Sequence, residues 1–180
     1  MELTISGPIG SGKSTVAKMV SNHLSMRYIS TGDIFREKAK EMSMSVEDFN
    51  KYAENHPEID QNLDNQLVDI MKKTDNIVVD SRLAGWMSYR NNISAIRIFI
   101  TAEIDTRTQR ISQREKIGME EAADRIRRRE YSERERYRKL YGIDIQDTSI
   151  YDLILRSDNL RPEIIADEII KKTGVYGHGN

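Results

Sequence analysis

The sequence predicts an α/β fold: a five-stranded parallel sheet between two layers of helices, with two long helical excursions. Three observations predict it. Short apolar runs suited to buried strands alternate with segments of helical periodicity, the pattern of a parallel sheet covered on both faces. A glycine-rich loop joins the first such strand to the first such helix. Two connections between strands are far longer than a crossover helix requires. A chain of 180 residues is expected to form one domain.

The first strand is "ELTIS", in which polar and apolar residues alternate. It runs into Gly7-Pro8-Ile9-Gly10-Ser11-Gly12-Lys13-Ser14, followed by Thr15, which fits G-x-x-x-x-G-K-[ST] without a mismatch. A loop wrapped round a polyphosphate must bring successive backbone N–H groups close to anionic oxygens. Glycine permits that approach because it lacks a Cβ. Lys13 can reach the β- and γ-phosphates as a compact charge, and the Ser14 hydroxyl can ligate Mg²⁺. Behind the loop, Val16, Met19, Val20 and His23–Leu24 share one helical face, and that helix aims its positive end at the same oxygens. Strand, loop and helix in this order predict a nucleoside-triphosphate site on a P-loop NTPase of the three-layer α/β/α type.

The second strand, "RYIS", opens into "STGDIFREKA". Ser30-Thr31 and Asp33 are helix-cap chemistry, and Arg36 falls one turn into the helix, with a surface arginine as its alternative reading. Helical periodicity then covers residues 33–73. The third strand, "NIVVD", ends on Asp80, with Ser81-Arg82 next. A carboxylate at the carboxyl end of a buried strand beside a P-loop is placed to hold a magnesium-bound water; a helix cap is the alternative. "SAIRIFIT" is the fourth strand, residues 103–139 are again helical, and "IYDLILRS" is the fifth strand. The last helix lies in "RPEIIADEIIKKT": Asp158-Asn159 offer caps, Pro162 suits a first turn, and Lys171-Lys172 come late. "GVYGHGN" is expected to fray. The long connections, 31–75 and 102–149, flank the P-loop if the ligand sits at the carboxyl ends of the strands.

Composition narrows the function classes. There is no cysteine, so disulfides and thiolate catalysis are excluded and zinc loses its commonest ligand. No apolar run approaches the roughly 18 residues of a membrane span, and "MELTISGP" lacks a signal peptide's basic start, so a cytoplasmic protein without membrane partners is expected. The net charge of −1 conceals an imbalance: residues 107–139 hold 12 Lys/Arg against 7 Asp/Glu, leaving 16 against 22 elsewhere. Within that segment Arg107, Arg110 and Arg114 share a helix face; beyond Gly118, Arg125, Arg129 and Arg136 share another, with Glu133 among them. Three readings stand: a solvated, salt-bridged helix; an RNA-binding surface using Tyr131, Tyr137 and Tyr141; or a lid whose arginines close over the loop and spread positive charge on a transferring phosphoryl group. The interleaved glutamates count against RNA. His23, His56 and His178 have no catalytic context.

The P-loop, "STGDIFR", "VVDSR" and the paired arginines that open the 103–149 segment occur in the order of the nucleoside monophosphate kinase family, which the chain resembles from Glu2 to about Thr173. "DSRLAGWM", "AENHPEIDQNLD" and "RIRRREYSERERYRKLYGID" resemble the short archaeal type of cytidylate kinase within it. The resemblance implies a core of 1–30, 76–102 and 150–175, monophosphate-binding helices over 31–75 and a lid over 103–149. It implies phosphorylation of CMP and dCMP by Mg·ATP in pyrimidine metabolism, by a monomer with no nucleic-acid partner. Gly7 through Thr15 would bind ATP, with Mg²⁺ held by Ser14 and, through water, Asp80. Thr31, Asp33, Arg36 and Arg82 would bind the monophosphate. Lys13, Arg110, Arg114, Arg129 and Arg136 would serve the transferring phosphoryl group, with Arg110 stacking on adenine and "SDNLRPE" touching adenine through its backbone. Bacterial relatives carry an extra inserted segment, "GR" in place of Ser81-Arg82 and aspartate in place of Glu133. The alternatives are a small P-loop kinase for adenylate or a non-nucleotide acceptor, and an ATP-dependent RNA-binding protein.

Overall fold

A computed structural model describes residues 1–174. The chain order is β1 (Glu2–Ser6), α1 (Lys13–His23), β2 (Arg27–Ser30), α2 (Thr31–Glu41), α3 (Val46–Glu54), α4 (Pro57–Lys73), β3 (Ile77–Asp80), α5 (Ala84–Arg90), β4 (Ile96–Thr101), α6 (Ile104–Glu115), α7 (Met119–Tyr141), β5 (Leu153–Arg156) and α8 (Pro162–Lys172). One sheet has the order β2-β3-β1-β4-β5, and every neighbouring pair is parallel. β1 lies at the centre, so the loop at its carboxyl end opens where the chain's path diverges to both sides of the sheet.

The period-two pattern of the strands separates two cores. Leu3, Ile5, Val78, Ile98, Ile100 and Leu155 pack on Val16, Ala17 and Val20 of α1 and on Ile165, Ala166 and Ile169 of α8. Ile29, Ile77 and Val79 face the other way, against Leu67 and Met71 of α4 and Ala84 of α5. Fully burying each Val, Leu, Ile or Met side chain among these contributes about 1.5–3 kcal/mol. The three layers are therefore α1 and α8, the sheet, and α4 with α5.

The 33–73 periodicity resolves into three helices because caps interrupt it. Ser30 accepts from the Asp33 N–H at 3.2 Å to start α2, Ser45 accepts from the Asp48 N–H at 3.0 Å to start α3, and Pro57 opens α4. α4 returns to the core, so the far half of that excursion belongs to the helical layer. α5 had no sequence signal; its Gly85 lets Tyr151 approach so closely that a Cβ there would lie 2.4 Å from the ring. β5 is four residues long, shorter than "IYDLILRS" suggested.

The expected cap of α8 is corrected. Its N-cap residue is Arg161, with no side-chain bond, while Asp158 accepts from the Glu103 N–H at 2.8 Å, just before α6. Asp158 is too far from α8 in sequence to reach its first amides, and β4 and β5 are neighbours, which brings the two loops together. The "GVYGHGN" tail, Gly174 apart, lies outside the described residues. No described helix is long and apolar enough to cross a membrane.

Candidate active site

The P-loop is held open by its surroundings. A Cβ on Gly7 would lie 2.1 Å from the Ile100 carbonyl oxygen, and one on Gly10, at φ 79°, would lie 2.9 Å from that of Arg107. Glycine is required at both positions. Four loop carbonyls accept bonds from other parts of the chain. Arg82 Nη1 donates to Gly7 O at 2.7 Å, Arg107 Nη1 to Ile9 O at 3.2 Å, Arg110 Nη1 to Gly10 O at 3.2 Å, and Ser157 Oγ to Ser11 O at 2.7 Å. With these carbonyls engaged, the loop's amides suit an anion.

One cavity, of about 310 Å³, is lined by Lys13, Ser14 and Thr15 from the loop, Thr31 and Arg36 from α2, and Asp60, Leu63 and Asp64 from α4. Asp80 and Arg82 line it from beyond β3, and Arg114, Arg129, Glu133 and Arg136 from α6 and α7. A second, more open cavity of about 570 Å³ is lined by Ser11, Arg110, Ser157 and the 159–162 loop. Gly10, Gly12, Thr15 and Arg114 line both, so the P-loop stands between two compartments.

The first cavity is strongly cationic on its loop side. Burial lowers the Lys13 ammonium to about 8, with Asp80 and Glu133 opposing the shift and Arg82 and Arg129 adding to it. Arg129 is held below its ordinary value by burial, its Nε is buried without a partner, and no carboxylate pairs with it among the described residues. Burial alone would push Glu133 up, but Arg82, Arg129 and Arg136 hold its carboxyl below the usual value, and Arg82 Nε lies 2.5 Å from it. Two cations without carboxylate partners thus face a cavity beside free loop amides, which is the electrostatic form of a phosphate site. Asp80 accepts from the Tyr28 hydroxyl at 2.9 Å and caps no helix, since the N-cap of α5 is Leu83, with no side-chain cap bond. No cluster of three or more acidic or histidine ligands occurs among the described residues.

Several sequence-derived positions fall elsewhere. Asp33 does not line either cavity; its carboxylate pairs with half-exposed Arg36, its neighbour one turn on along the same exposed face of α2. Gly7 and Pro8 shape the loop without lining it. Arg110 braces Gly10 and Ser157 while facing the second cavity, so its first task is structural. Arg136 is paired with Asp60 at 2.6 Å and bonded to Asn50, on the α3–α4 side of the cavity, because α7 packs across those helices. Part of the basic segment is paired with its own carboxylates: Glu130 takes Arg107, Glu115 and Glu121 take Arg125, and Asp124 takes Arg127 and Arg128. Tyr137 is buried and Tyr141 packs partly buried against the cluster of Leu83 and Trp86, which leaves exposed Tyr131 as the one ring of the three open to stacking. His23 and His56 lie outside both cavities, and His178 outside the described residues.

The sequence did not single out Asn50, Asp60 or Asp64, and it gave Arg107 and Tyr141 other roles than bracing Ile9 and bonding Asp64. The one available signal was the i,i+4 spacing of Asp60 and Asp64 beside Leu63 and Leu67, which brings two carboxylates to the edge of a core-facing stripe.

The model of a family described as cytidylate kinase-like matches residues 2–159. The cytidylate kinase of Thermoplasma acidophilum is 49% identical over 166 residues, covering 92% of this chain and 88% of its own length. That of Thermoplasma volcanium is 47% identical over 172 residues, covering 96% and 90%. Among solved structures, shikimate kinase from Bacteroides thetaiotaomicron superposes with a TM-score of 0.64 over 97% of this chain and 99% of its own, at 16% identity, a likeness of fold.

Proposed function

The chain belongs to the cytidylate kinase-like family, and on that premise we propose that it transfers the γ-phosphoryl group of ATP to CMP and dCMP, giving ADP and CDP or dCDP. The observation that carries this reading is the pair of compartments on either side of one P-loop, with Lys13 and Arg129, neither paired with a carboxylate among the described residues, facing the first. ATP would lie along the loop with its base in the second cavity, against the 157–162 segment and Arg110. CMP would occupy the first, between α2, α4 and α7.

Each residue then has a physical task. The loop amides and Lys13 bind the triphosphate, and Arg36 and Arg82 bind the phosphate of CMP. An oxygen of that phosphate attacks the γ-phosphorus as the bond to the β,γ-bridging oxygen breaks, leaving ADP. The acceptor is already an ionised phosphate, so no side chain need remove a proton. Lys13, Arg129 and Arg114 stabilise charge spread over the transferring group, and the packed α7 excludes water. The residues present suit Mg²⁺: it keeps several waters and takes one or two protein ligands beside nucleotide phosphates, so the Ser14 hydroxyl and, through water, Asp80 suffice. When bound, the ion supplies further positive charge to the phosphates. Segment 31–75 acts as the monophosphate-binding unit and 103–149 as a lid anchored at its base by Arg107 and Arg110.

The reading is tested by ADP release with CMP, dCMP, UMP, AMP and shikimate as acceptors. CMP and dCMP should give the highest kcat/KM. Turnover with AMP or shikimate equal to that with CMP would overturn it.

A further inference from the structure

α4 places two buried carboxyl groups one turn apart on the wall of the CMP cavity, Asp60 and Asp64. They are satisfied differently. Asp60 has a cation, Arg136, at 2.6 Å. Asp64 Oδ2 accepts from the Tyr141 hydroxyl at 2.8 Å, and no cation pairs with Asp64 among the described residues. Burial, with a contribution from Asp60, pushes its carboxyl up to about 7, against the pull of Tyr141 and Arg136. A buried carboxyl without a cation is costly. An alanine or asparagine there would avoid that cost, so its place on a cavity wall implies that a ligand brings the missing donor.

The position of the charges identifies the donor. Lys13, Arg82 and Arg129 gather round Glu133 on the loop side; Arg136 stands between the two groups, and the other charged neighbour of Asp64 is Asp60. A mononucleotide with its phosphate among the former cations extends its base toward α4. We propose that Asp64 is a specificity-determining residue, whose free Oδ1 accepts a hydrogen bond from the exocyclic amine of the acceptor base. Cytosine presents an amine at C4, and uracil presents a carbonyl oxygen there. At pH 8, where Asp64 is ionised, uracil would bring two acceptors together in a buried site and leave both unpaired, the arrangement by which polar sites discriminate most strongly. Tyr141 acts through Asp64 as a positioning residue, fixing Oδ2 so that Oδ1 faces the cavity. This inference rests on the proposed CMP kinase activity.

The test is kcat/KM for CMP and UMP in the wild type, Asp64→Asn and Tyr141→Phe, with a melting curve for each. Asparagine keeps the shape and can turn a donor to the O4 of uracil. Asp64→Asn should reduce the CMP/UMP ratio by about 30-fold or more, through KM for the acceptor, with KM for ATP within about twofold. Its melting temperature at pH 8 should equal or exceed that of the wild type, which separates the effect from folding damage. Tyr141→Phe should shift the ratio the same way, by less. An unchanged ratio in folded Asp64→Asn overturns the inference. Should that variant not fold, binding of CMP to the wild type against its analogue lacking the 4-amino group decides: equal affinity overturns the inference, and a loss of about 30-fold or more supports it. A wild type that prefers another acceptor to CMP would instead overturn the proposed function.

Discussion

Arg136→Met removes the cation from a pair whose side chains are only 4% and 5% exposed and whose Nε–Oδ2 separation is 2.6 Å. The guanidinium also donates from Nη1 to Asn50 Oδ1 at 3.1 Å and to Ser132 Oγ at 2.6 Å. Methionine can fill much of the same volume between Phe35 and Tyr137, so the loss is chiefly electrostatic. Removing one partner of a buried pair costs about 3–5 kcal/mol, because the other charge is left in a poor solvent. At about 2–4 °C per kcal/mol for a chain of this size, the melting temperature should fall by roughly 10 °C.

The loss should depend on pH, with a sign fixed by the orphaned carboxyl. Burial already pushes Asp60 above 3.8, and without Arg136 nothing opposes that push. The native state then binds a proton that the unfolded chain releases. Such stability is complete below the unfolded pKa and falls by up to about 1.4 kcal/mol per pH unit as pH rises toward the native pKa. The gap between mutant and wild type should therefore be small at pH 5 and widest at pH 8. Circular-dichroism melts of both proteins at the two pH values measure it, and Asp60→Leu combined with Arg136→Met should recover most of the loss. A mutant within about 2 °C of wild type at pH 8 would refute the reasoning, since α7 would then not be docked on α3 and α4 in the nucleotide-free protein.

Four further outcomes follow from the site. Lys13→Ala should cut turnover by roughly 10³-fold or more, and Lys13→Arg should also fail, because a planar fork cannot replace a compact charge in a tight loop; near-normal turnover in either would remove Lys13 from the chemistry. Since the empty-site ammonium titrates at about 8, ATP binding at pH 8.5 should take up protons, seen as a dependence of the calorimetric heat on buffer ionisation enthalpy. Arg36→Ala should weaken CMP while sparing ATP, whereas Arg82→Ala should weaken both, because Arg82 also braces the Gly7 carbonyl; titration calorimetry with each nucleotide separates the two patterns. Asp80→Asn should slow turnover by roughly 10–100-fold and raise the Mg²⁺ requirement with little change in melting temperature, and an unaltered Mg²⁺ titration would leave Ser14 as the protein's contact to the metal.

What the sequence by itself determined is local. The P-loop was legible because its glycines and lysine are contiguous and each answers a constraint set within a few residues. The strands were legible because Ile77-Val78-Val79 and Ile98-Phe99-Ile100 are apolar runs whatever lies beside them, and Ser30 and Pro162 mark helix starts by their own geometry. Arg36, Arg82, Arg114 and Arg129 all line the first cavity, each following a strand end or a helical repeat that the chain must bring to one rim.

Tertiary structure decided which charges are spent and which remain. Arg107 and Arg110 have the same local signature as Arg114, yet they brace carbonyls about a hundred residues away, because α6 passes behind the loop. Asp158 looked like a cap for the helix it precedes and serves the start of α6, because β4 and β5 are adjacent. Asp60 and Asp64 are ordinary members of a polar helix stripe until α7 returns across them, bringing a cation to one and a tyrosine hydroxyl to the other. Electrostatic energy depends on distance and burial, and these are properties of the folded chain, so a charge's role cannot be read until the segment that covers it is in place.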